Sequence, residues 1–340
     1  MSAINDTKLK SVIFILTRLP SHGDTHLWIS ILFCFLYVIS IIGNSIILFI
    51  VKTDPSLHQP MYIFLSMLSI TDLGISITTI PTILGIYLFN SREISLYTCL
   101  AQLFFIHLLQ YIESSVPLLM AFEHLIVIHN PLRYASIVTL PRVAKMGLVA
   151  VLRAMVLILP LPFLLKRFRY CHANVLSHSY CLFREVMKMA CSDITVNSIY
   201  GLFTKLFQMG LDLQLILLSY VMILKTVLSI ASYKDCLRAL NTCVSHLCAL
   251  LLFYTPEISL SVIHRFGKGS YPLLQILLGY MSLFLRPLIN SIVYSMKSKH
   301  LRVRINRCSS SEGSVHHVAP LTWEMKNIGY LFHTGLLHLR

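Results

Sequence analysis

Residues 27–51 read LWISILFCFLYVISIIGNSIILFIV and contain no Asp, Glu, Lys or Arg. A helix needs about 20 predominantly apolar residues to cross the hydrocarbon core of a bilayer, and this run is long enough to do so. It starts too late in the chain, and continues for too long, to be a cleaved signal peptide. The run therefore predicts a transmembrane helix.

The composition of the whole chain indicates the same class. Of the 340 residues, 56% are hydrophobic and 12% are charged, whereas an ordinary soluble domain has about 45–50% and about 25%. A disordered chain would have the opposite bias. The net charge is +14, but the basic residues lie between apolar runs, where they meet lipid headgroups. We therefore predict a protein of the lipid bilayer with no nucleic-acid partner.

Seven apolar stretches of spanning length follow one another along the chain. They lie at 27–51, 61–88, 100–128, 143–165, 199–224, 239–263 and 273–294. No unit of 20–50 residues repeats. We predict an all-α fold, a seven-transmembrane helix bundle over residues 27–296, with an N-terminal tail at 1–26 and a C-terminal tail at 297–340.

The bias of Lys and Arg between the loops is too weak to set the orientation in the membrane. We therefore infer the orientation from cysteines and a glycosylation sequon. The sequon Asn5-Asp6-Thr7 lies in the N-terminal tail. Four cysteines lie on that same side of the predicted bundle: Cys99, Cys171, Cys181 and Cys191. Because disulfides persist in oxidising compartments, we expect a multi-pass cell-membrane protein with an extracellular N-terminus that is glycosylated at Asn5.

These four cysteines allow more than one arrangement. Pairing Cys99 with Cys181 would hold the loop 166–198 over the bundle mouth, and pairing Cys171 with Cys191 would close a loop within it. The sequence alone allows three connectivities, and free buried thiols are a further alternative.

Several motifs resemble those of odorant receptors, and they occur in the family's order. They are PMYIFLSMLSITDL at 60–73, MAFEH at 120–124, NPLRY at 130–134, SHSYC at 177–181 and RALNTCVSH at 238–246. Phe253-Tyr254 and His264-Arg265-Phe266 are similar to the class I, fish-like subset. The resemblance covers about residues 1–303. It implies a rhodopsin-like G-protein-coupled receptor that binds a small odorant and activates a stimulatory heterotrimeric G protein, which raises cyclic AMP.

The chain departs from the family where the G protein is expected to bind. The resemblance places coupling at Glu123, His124 and Tyr294. The family's Asp-Arg-Tyr triplet reads Glu123-His124-Leu125, and Ser291 replaces the proline of Asn-Pro-x-x-Tyr. Histidine is shorter than arginine and mostly neutral near pH 7. An odorant receptor with the same fold but impaired coupling is therefore the alternative hypothesis.

Two hypotheses of other classes find little support in the sequence. A small-solute transporter would show paired inverted halves with broken spans, and no matching set of prolines is present. An enzyme is not expected, since neither a Gly-x-Gly-x-x-Gly nor a Walker pattern occurs.

Asp72 and Glu113 are carboxyl groups in the second and third spans. Ionisable groups at membrane depth face the bundle interior or water and are functional by default. Two facing carboxylates repel unless a cation or a shared proton lies between them. We therefore predict a Na⁺ or proton site there and no other cofactor. The alternative is a structural hydrogen-bond pair with Asn44 and Asn290.

Four residues are predicted to contact the ligand: His107, Arg184, Ser261 and Arg265. Ser261 and Arg265 are one helical turn apart and share a face, and an arginine at the mouth of an apolar pocket can bind a carboxylate through two hydrogen bonds. Since class I receptors favour polar and often acidic odorants, we expect a carboxylic or oxygenated volatile. Three of these residues have a structural alternative. Arg265 would snorkel to headgroups, His107 would be a satisfied core histidine, and Arg184 would be a solvated loop charge.

The remaining charged residues within the spans suggest structural roles. Asp212 and Lys205 are two helical turns apart in the fifth span, so they form either an ion pair or separate interior contacts. The contacts of Glu257, in the sixth span, are left open in the same way. No metal site is expected, because no His-x-x-x-His or Cys-x-x-Cys spacing occurs within a span.

Overall fold

The computed structural model describes residues 12–17, 25–130, 133–170, 175–228, 243–244, 247, 250–251, 254–263, 272–288 and 290. Within these residues five helices are long and apolar enough to cross a membrane. They are α1 (Thr25–Thr53), α2 (Pro60–Leu88), α3 (Leu96–His129), α4 (Leu140–Lys166) and α5 (Thr195–Leu228). Each of the first five predicted spans lies inside one of them.

The sixth and seventh predicted spans are described in part. Residues 254–263 and 272–288 are helical and are called α6 and α7. Four of the predicted site residues, and the predicted C-terminal tail, lie outside the described residues. These four are Asn5, Cys171, Arg265 and Tyr294.

The helices begin at residues that favour helix starts. Pro60 is at the first position of α2, after the N-cap Gln59, where its missing N–H costs nothing. The hydroxyl of Ser95 caps α3 by accepting a bond of 3.3 Å from the amide of Thr98. Between α1 and α2 there is only a short turn with a 3₁₀ segment (Pro55–Leu57). Such short connections make successive helices antiparallel neighbours.

Three helices of the bundle are irregular. In α4 the helix is interrupted at Leu159 and resumes at Pro160. In α5 and α7 there are π-helical turns, at Leu206–Gly210 and Met281–Leu285. Such turns are frequent at functional sites, and each of these lies next to a charged residue of the site described below.

The third helix is the centre of the bundle. It packs against α2, α4 and α5, and its apolar core residues include the fully buried Leu103 and Ile106. Pro117 lies inside α3, which continues past it to His129. Proline has no N–H to donate to the carbonyl four residues earlier, which here is that of Glu113.

A small sheet covers one end of the bundle, which we call the sheet end. Strand β1 (Ile13–Leu16) lies between β2 (Glu93–Ser95), to which it is antiparallel, and β3 (Val175–Leu176), to which it is parallel. The sheet adds strands to a fold predicted as all-α. Part of the predicted N-terminal tail is therefore held against two loops of the bundle.

A disulfide reinforces the sheet end. Cys99, in the first turn of α3, is bonded to Cys181, with a Cα–Cα distance of 5.5 Å. This is one of the connectivities that the sequence allowed. Cys191 is also disulfide-bonded, whereas its predicted partner Cys171 lies outside the described residues.

Candidate functional site

A cavity of about 150 Å³ lies between the helices below the sheet end. Three of the four predicted ligand contacts line it: His107 from α3, Ser261 from α6 and Arg184 from the loop after Cys181. The other charged residues of its lining are Lys205, Glu257 and Arg286. The fold therefore brings together those predicted ligand residues that the structure describes.

His107 presents an unsatisfied nitrogen in this cavity. Its Nε2 is buried and has no hydrogen-bond partner in the described part of the chain. Buried polar atoms are nearly always hydrogen-bonded, so this nitrogen is suited to a polar ligand atom. The hydroxyl of Ser261, in contrast, donates to the backbone carbonyl of Glu257 at 2.7 Å, which leaves it able to accept from a ligand.

Ion pairs join three helices at the cavity wall. Lys205 Nζ of α5 lies 2.9 Å from Glu257 Oε2 of α6, and Arg286 of α7 lies 3.3 Å from Glu257 Oε1. Ser282 also donates to Glu257 and accepts a bond of 3.0 Å from Arg286. Lys205 directly precedes the π turn of α5, and Arg286 directly follows that of α7.

The predicted carboxylate site lies next to this wall. Arg286 contacts Glu113 Oε2 at 3.1 Å. The amide of Asn290 donates to Glu113 Oε1 at 3.3 Å and to Asp72 Oδ2 at 3.4 Å. Asn44, named with Asn290 in the structural alternative, donates instead to the backbone carbonyls of Ser40 and Pro287. The two carboxyl groups are therefore linked by Asn290.

Asp212 belongs to a separate polar cluster. Arg153 of α4 lies 2.6 Å from Asp212 Oδ1 and 2.8 Å from the hydroxyl of Ser115. Gln208 donates to Asp212 Oδ2 at 3.0 Å, and Ser114 donates to the same oxygen at 3.1 Å. Of the two arrangements left open by the sequence, the structure shows separate contacts for Asp212 and Lys205.

The segment that follows β3 lines one side of the cavity. The amide of Cys181 donates to Gln102 Oε1 at 3.0 Å, and the hydroxyl of Tyr180 donates to the carbonyl of Gly279 at 3.2 Å. A short helix, Phe183–Lys188, then lies against α5. A Cβ atom added to Gly201 would come within 2.7 Å of the Phe183 ring, so a larger residue there would have to displace the ring.

The short helix Phe183–Lys188 also contains a buried carboxylate. Burial would by itself raise the pKa of Glu185, but Lys188, whose ammonium donates to it at 2.6 Å, holds that pKa below its ordinary value. Glu185 is therefore ionised near neutral pH and holds the short helix through this ion pair.

The opposite end of α3 contains the predicted coupling residues. The hydroxyl of Tyr134 donates to Glu123 Oε1 at 2.6 Å. Burial, together with this carboxylate, raises the pKa of Tyr134, so that it remains a donor near neutral pH. His124 Nδ1 lies 2.7 Å from the carbonyl of Met120, so one ring nitrogen contacts its own helix.

Three charged residues of the site were not predicted to contact ligand. Lys205 and Glu257 were predicted to have structural roles, and no role was predicted for Arg286. A signal was present, since charges within a span face the bundle interior. Their partners could not be assigned because two of the three residues adjoin π turns, which change the helical register.

The helical bundle, the disulfide at its mouth and the cavity between its helices fit a multi-pass membrane protein of the G-protein-coupled receptor class. The family model for olfactory receptors matches residues 33–311. The chain therefore belongs to the olfactory receptor family, and it is not an enzyme. This confirms the predicted seven-helix fold class and the resemblance noted from the motifs.

Human relatives cover nearly the whole chain. Olfactory receptor 51G2 of Homo sapiens is 55% identical over 301 residues, which are 88% of this chain and 96% of the relative. Olfactory receptor 51A4 of Homo sapiens is 52% identical over 305 residues, 90% of this chain and 97% of the relative. Olfactory receptor 51L1 of Homo sapiens is 46% identical over 301 residues, which are 88% of this chain and 96% of the relative. These similarities fit the class I subset.

Proposed function

We propose that this receptor binds a small carboxylic or oxygenated volatile in the cavity and activates a stimulatory olfactory G protein, which raises cyclic AMP. The N-terminus is extracellular in this proposal, so that the sheet end faces the odorant and the ends of α3 and α5 opposite it face the G protein. His107, Arg184, Ser261 and Arg265 contact the ligand.

The charge of the cavity lining supports a carboxylate ligand and is the observation that carries the proposal. Among the described residues, the lining contains the cationic side chains of Arg184, Lys205 and Arg286 and one carboxylate, Glu257. The ion pair of Lys205 with Glu257 uses one of the three N–H donors of the ammonium, so a ligand carboxylate can accept from the others. Hydrogen bonds to charged groups contribute about 1.5–3 kcal/mol. We therefore add Lys205 to the proposed ligand contacts.

The size of the cavity supports a small ligand. A cavity of about 150 Å³ holds a molecule roughly the size of benzene. The unsatisfied Nε2 of His107 and the hydroxyl of Ser261 give such a molecule polar partners inside a mostly apolar wall. Ligand binding would then shift the equilibrium between closed and open states of the bundle.

A coupling-impaired receptor is the second candidate. Coupling is proposed to involve Glu123, His124 and Tyr294. The contact of His124 with its own helix, and the bond between Tyr134 and Glu123, favour this candidate because they keep both α3 side chains close to the bundle. A neutral, shorter histidine also lacks the donor fork of arginine.

Ligand-evoked cyclic AMP in cells that supply the olfactory G protein tests both candidates. The receptor is compared with His124→Arg, with a panel of short carboxylic acids and with surface labelling as the control. A response from both supports a working receptor. A response from His124→Arg alone supports impaired coupling. Silence from both, at normal surface level, contradicts the proposal of a receptor that signals in response to short carboxylic acids.

A further inference from the structure

Two buried carboxyl groups lie in the interior of the bundle, one on α2 and one on α3. Asp72 and Glu113 have 0% exposed surface, and an ionised carboxylate at that depth is costly unless it is paired. The sequence predicts an exchangeable Na⁺ or a proton for this site. The arrangement of donors around the four carboxylate oxygens tests whether a metal cation fits.

Three of these four oxygens already accept hydrogen bonds. Arg286 donates to Glu113 Oε2 at 3.1 Å. The amide of Asn290 donates to Glu113 Oε1 at 3.3 Å and to Asp72 Oδ2 at 3.4 Å. Only Asp72 Oδ1 is without a hydrogen-bond partner among the residues the structure describes. Hard cations require several oxygen ligands, and here N–H donors already occupy three of the oxygens that a cation would use. The residues do not fit a bound Na⁺.

Arg286 itself supplies the positive charge. It is buried, with 6% of its surface exposed. One terminal nitrogen contacts Glu113 of α3, and the other contacts Glu257 of α6 at 3.3 Å and Ser282 at 3.0 Å. The planar guanidinium can donate to two carboxylates in this way. A lysine ammonium is a compact point charge and is less suited to this arrangement.

We propose that Arg286 is the permanent cation of this interior site and takes the place of an exchangeable sodium ion. Two consequences follow. The stability of the receptor is independent of Na⁺. The same guanidinium ties α3, α6 and α7 together, and through Glu257 it connects the interior site to the wall of the ligand cavity. Neither consequence depends on the identity of the odorant.

Thermal unfolding of the full chain, fused to a fluorescent protein and followed by size-exclusion chromatography, tests the proposal without a ligand. The midpoint is measured in NaCl and in choline chloride at equal ionic strength. We expect the same midpoint in both salts for the unaltered receptor. The variant Arg286→Met/Glu257→Gln removes one charge of each sign, and its midpoint should rise saturably with Na⁺, by about 3 °C or more.

Adding Asp72→Asn to that double variant is the matched control. The sodium response should then disappear, because one of the two carboxylates has been neutralised. A saturable rise with Na⁺ in the unaltered receptor would overturn the proposal, whether or not any variant folds. A folded double variant with no sodium response would also overturn it, since removing Arg286 would then have opened no cation site.

Discussion

Arg286 and Glu113 are 173 residues apart in the chain, and their charged groups lie 3.1 Å apart inside the bundle. This contact joins α7 to the central helix α3. In our proposal it also gives the site of facing carboxyl groups, predicted to hold a Na⁺ or a proton, a cation that belongs to the chain.

Removal of Arg286 should strongly destabilise the receptor. Arg286→Met leaves Glu113 with only Asn290 as a described partner, and breaking a buried ion pair in this way costs about 3–5 kcal/mol. The thermal midpoint in choline chloride should therefore fall well below that of the unaltered receptor. Lys52→Met, which removes an exposed cation from the end of α1, is the control and should leave the midpoint unchanged. Equal midpoints for both variants would contradict a structural role of Arg286.

The pair Arg153–Asp212 should show strong coupling. Arg153→Met leaves the fully buried Asp212 without its cation, so it should destabilise the receptor by a few kcal/mol. Arg153→Met/Asp212→Asn removes the stranded charge and should recover much of the loss. A double-mutant cycle on the thermal midpoints measures this. Additive effects of the two substitutions would mean that the pair contributes no interaction energy.

The disulfide between Cys99 and Cys181 should be required for a stable sheet end. It closes a loop with a sequence separation of 82, and a cross-link of that length contributes about 4 kcal/mol. Cys99→Ser should therefore reduce surface labelling severely. Cys34→Ser, at a free cysteine of α1, should not. If Cys99→Ser reached the surface at the normal level, the loop would be held by its other contacts.

His124→Arg should strengthen G-protein activation. An arginine is fully charged, and it is long enough to extend beyond the Met120 carbonyl that His124 contacts. The expected result is a larger ligand-evoked cyclic AMP response at equal surface level. His129→Arg adds the same charge near the same end of α3 and should have little effect. Equal gains from both variants would indicate a general effect of positive charge at the membrane surface.

The spans were predictable because their length is set by the bilayer and because each apolar run is continuous. Residues 27–51, for example, lie within α1 (Thr25–Thr53). This span could be recognised from its own residues, with no information about any other segment. The strand Ile13–Leu16 was not predictable, because it is short and its partners Glu93–Ser95 and Val175–Leu176 are distant in the chain.

The ion pairs were only partly predictable, for a geometric reason. In a regular helix Lys205 and Asp212, two turns apart, would lie roughly on one face. The π turn Leu206–Gly210 lies between them and changes the register, so Lys205 faces Glu257 and Asp212 faces Arg153. The residue types indicated interior positions, but the local winding and the packing of α4 and α6 determined the partners.

The most direct test of the proposed function compares a carboxylic acid with its methyl ester on the receptor and on Lys205→Met. Cyclic AMP responses are recorded at matched surface levels, with Lys205→Arg as the charge-retaining control. We predict that the receptor and Lys205→Arg respond to the acid at lower concentration than to the ester. Lys205→Met should require about 10-fold or more additional acid, with little change for the ester. Equal responses to acid and ester in the unaltered receptor, or equal losses in Lys205→Met, would contradict a cavity that selects carboxylates.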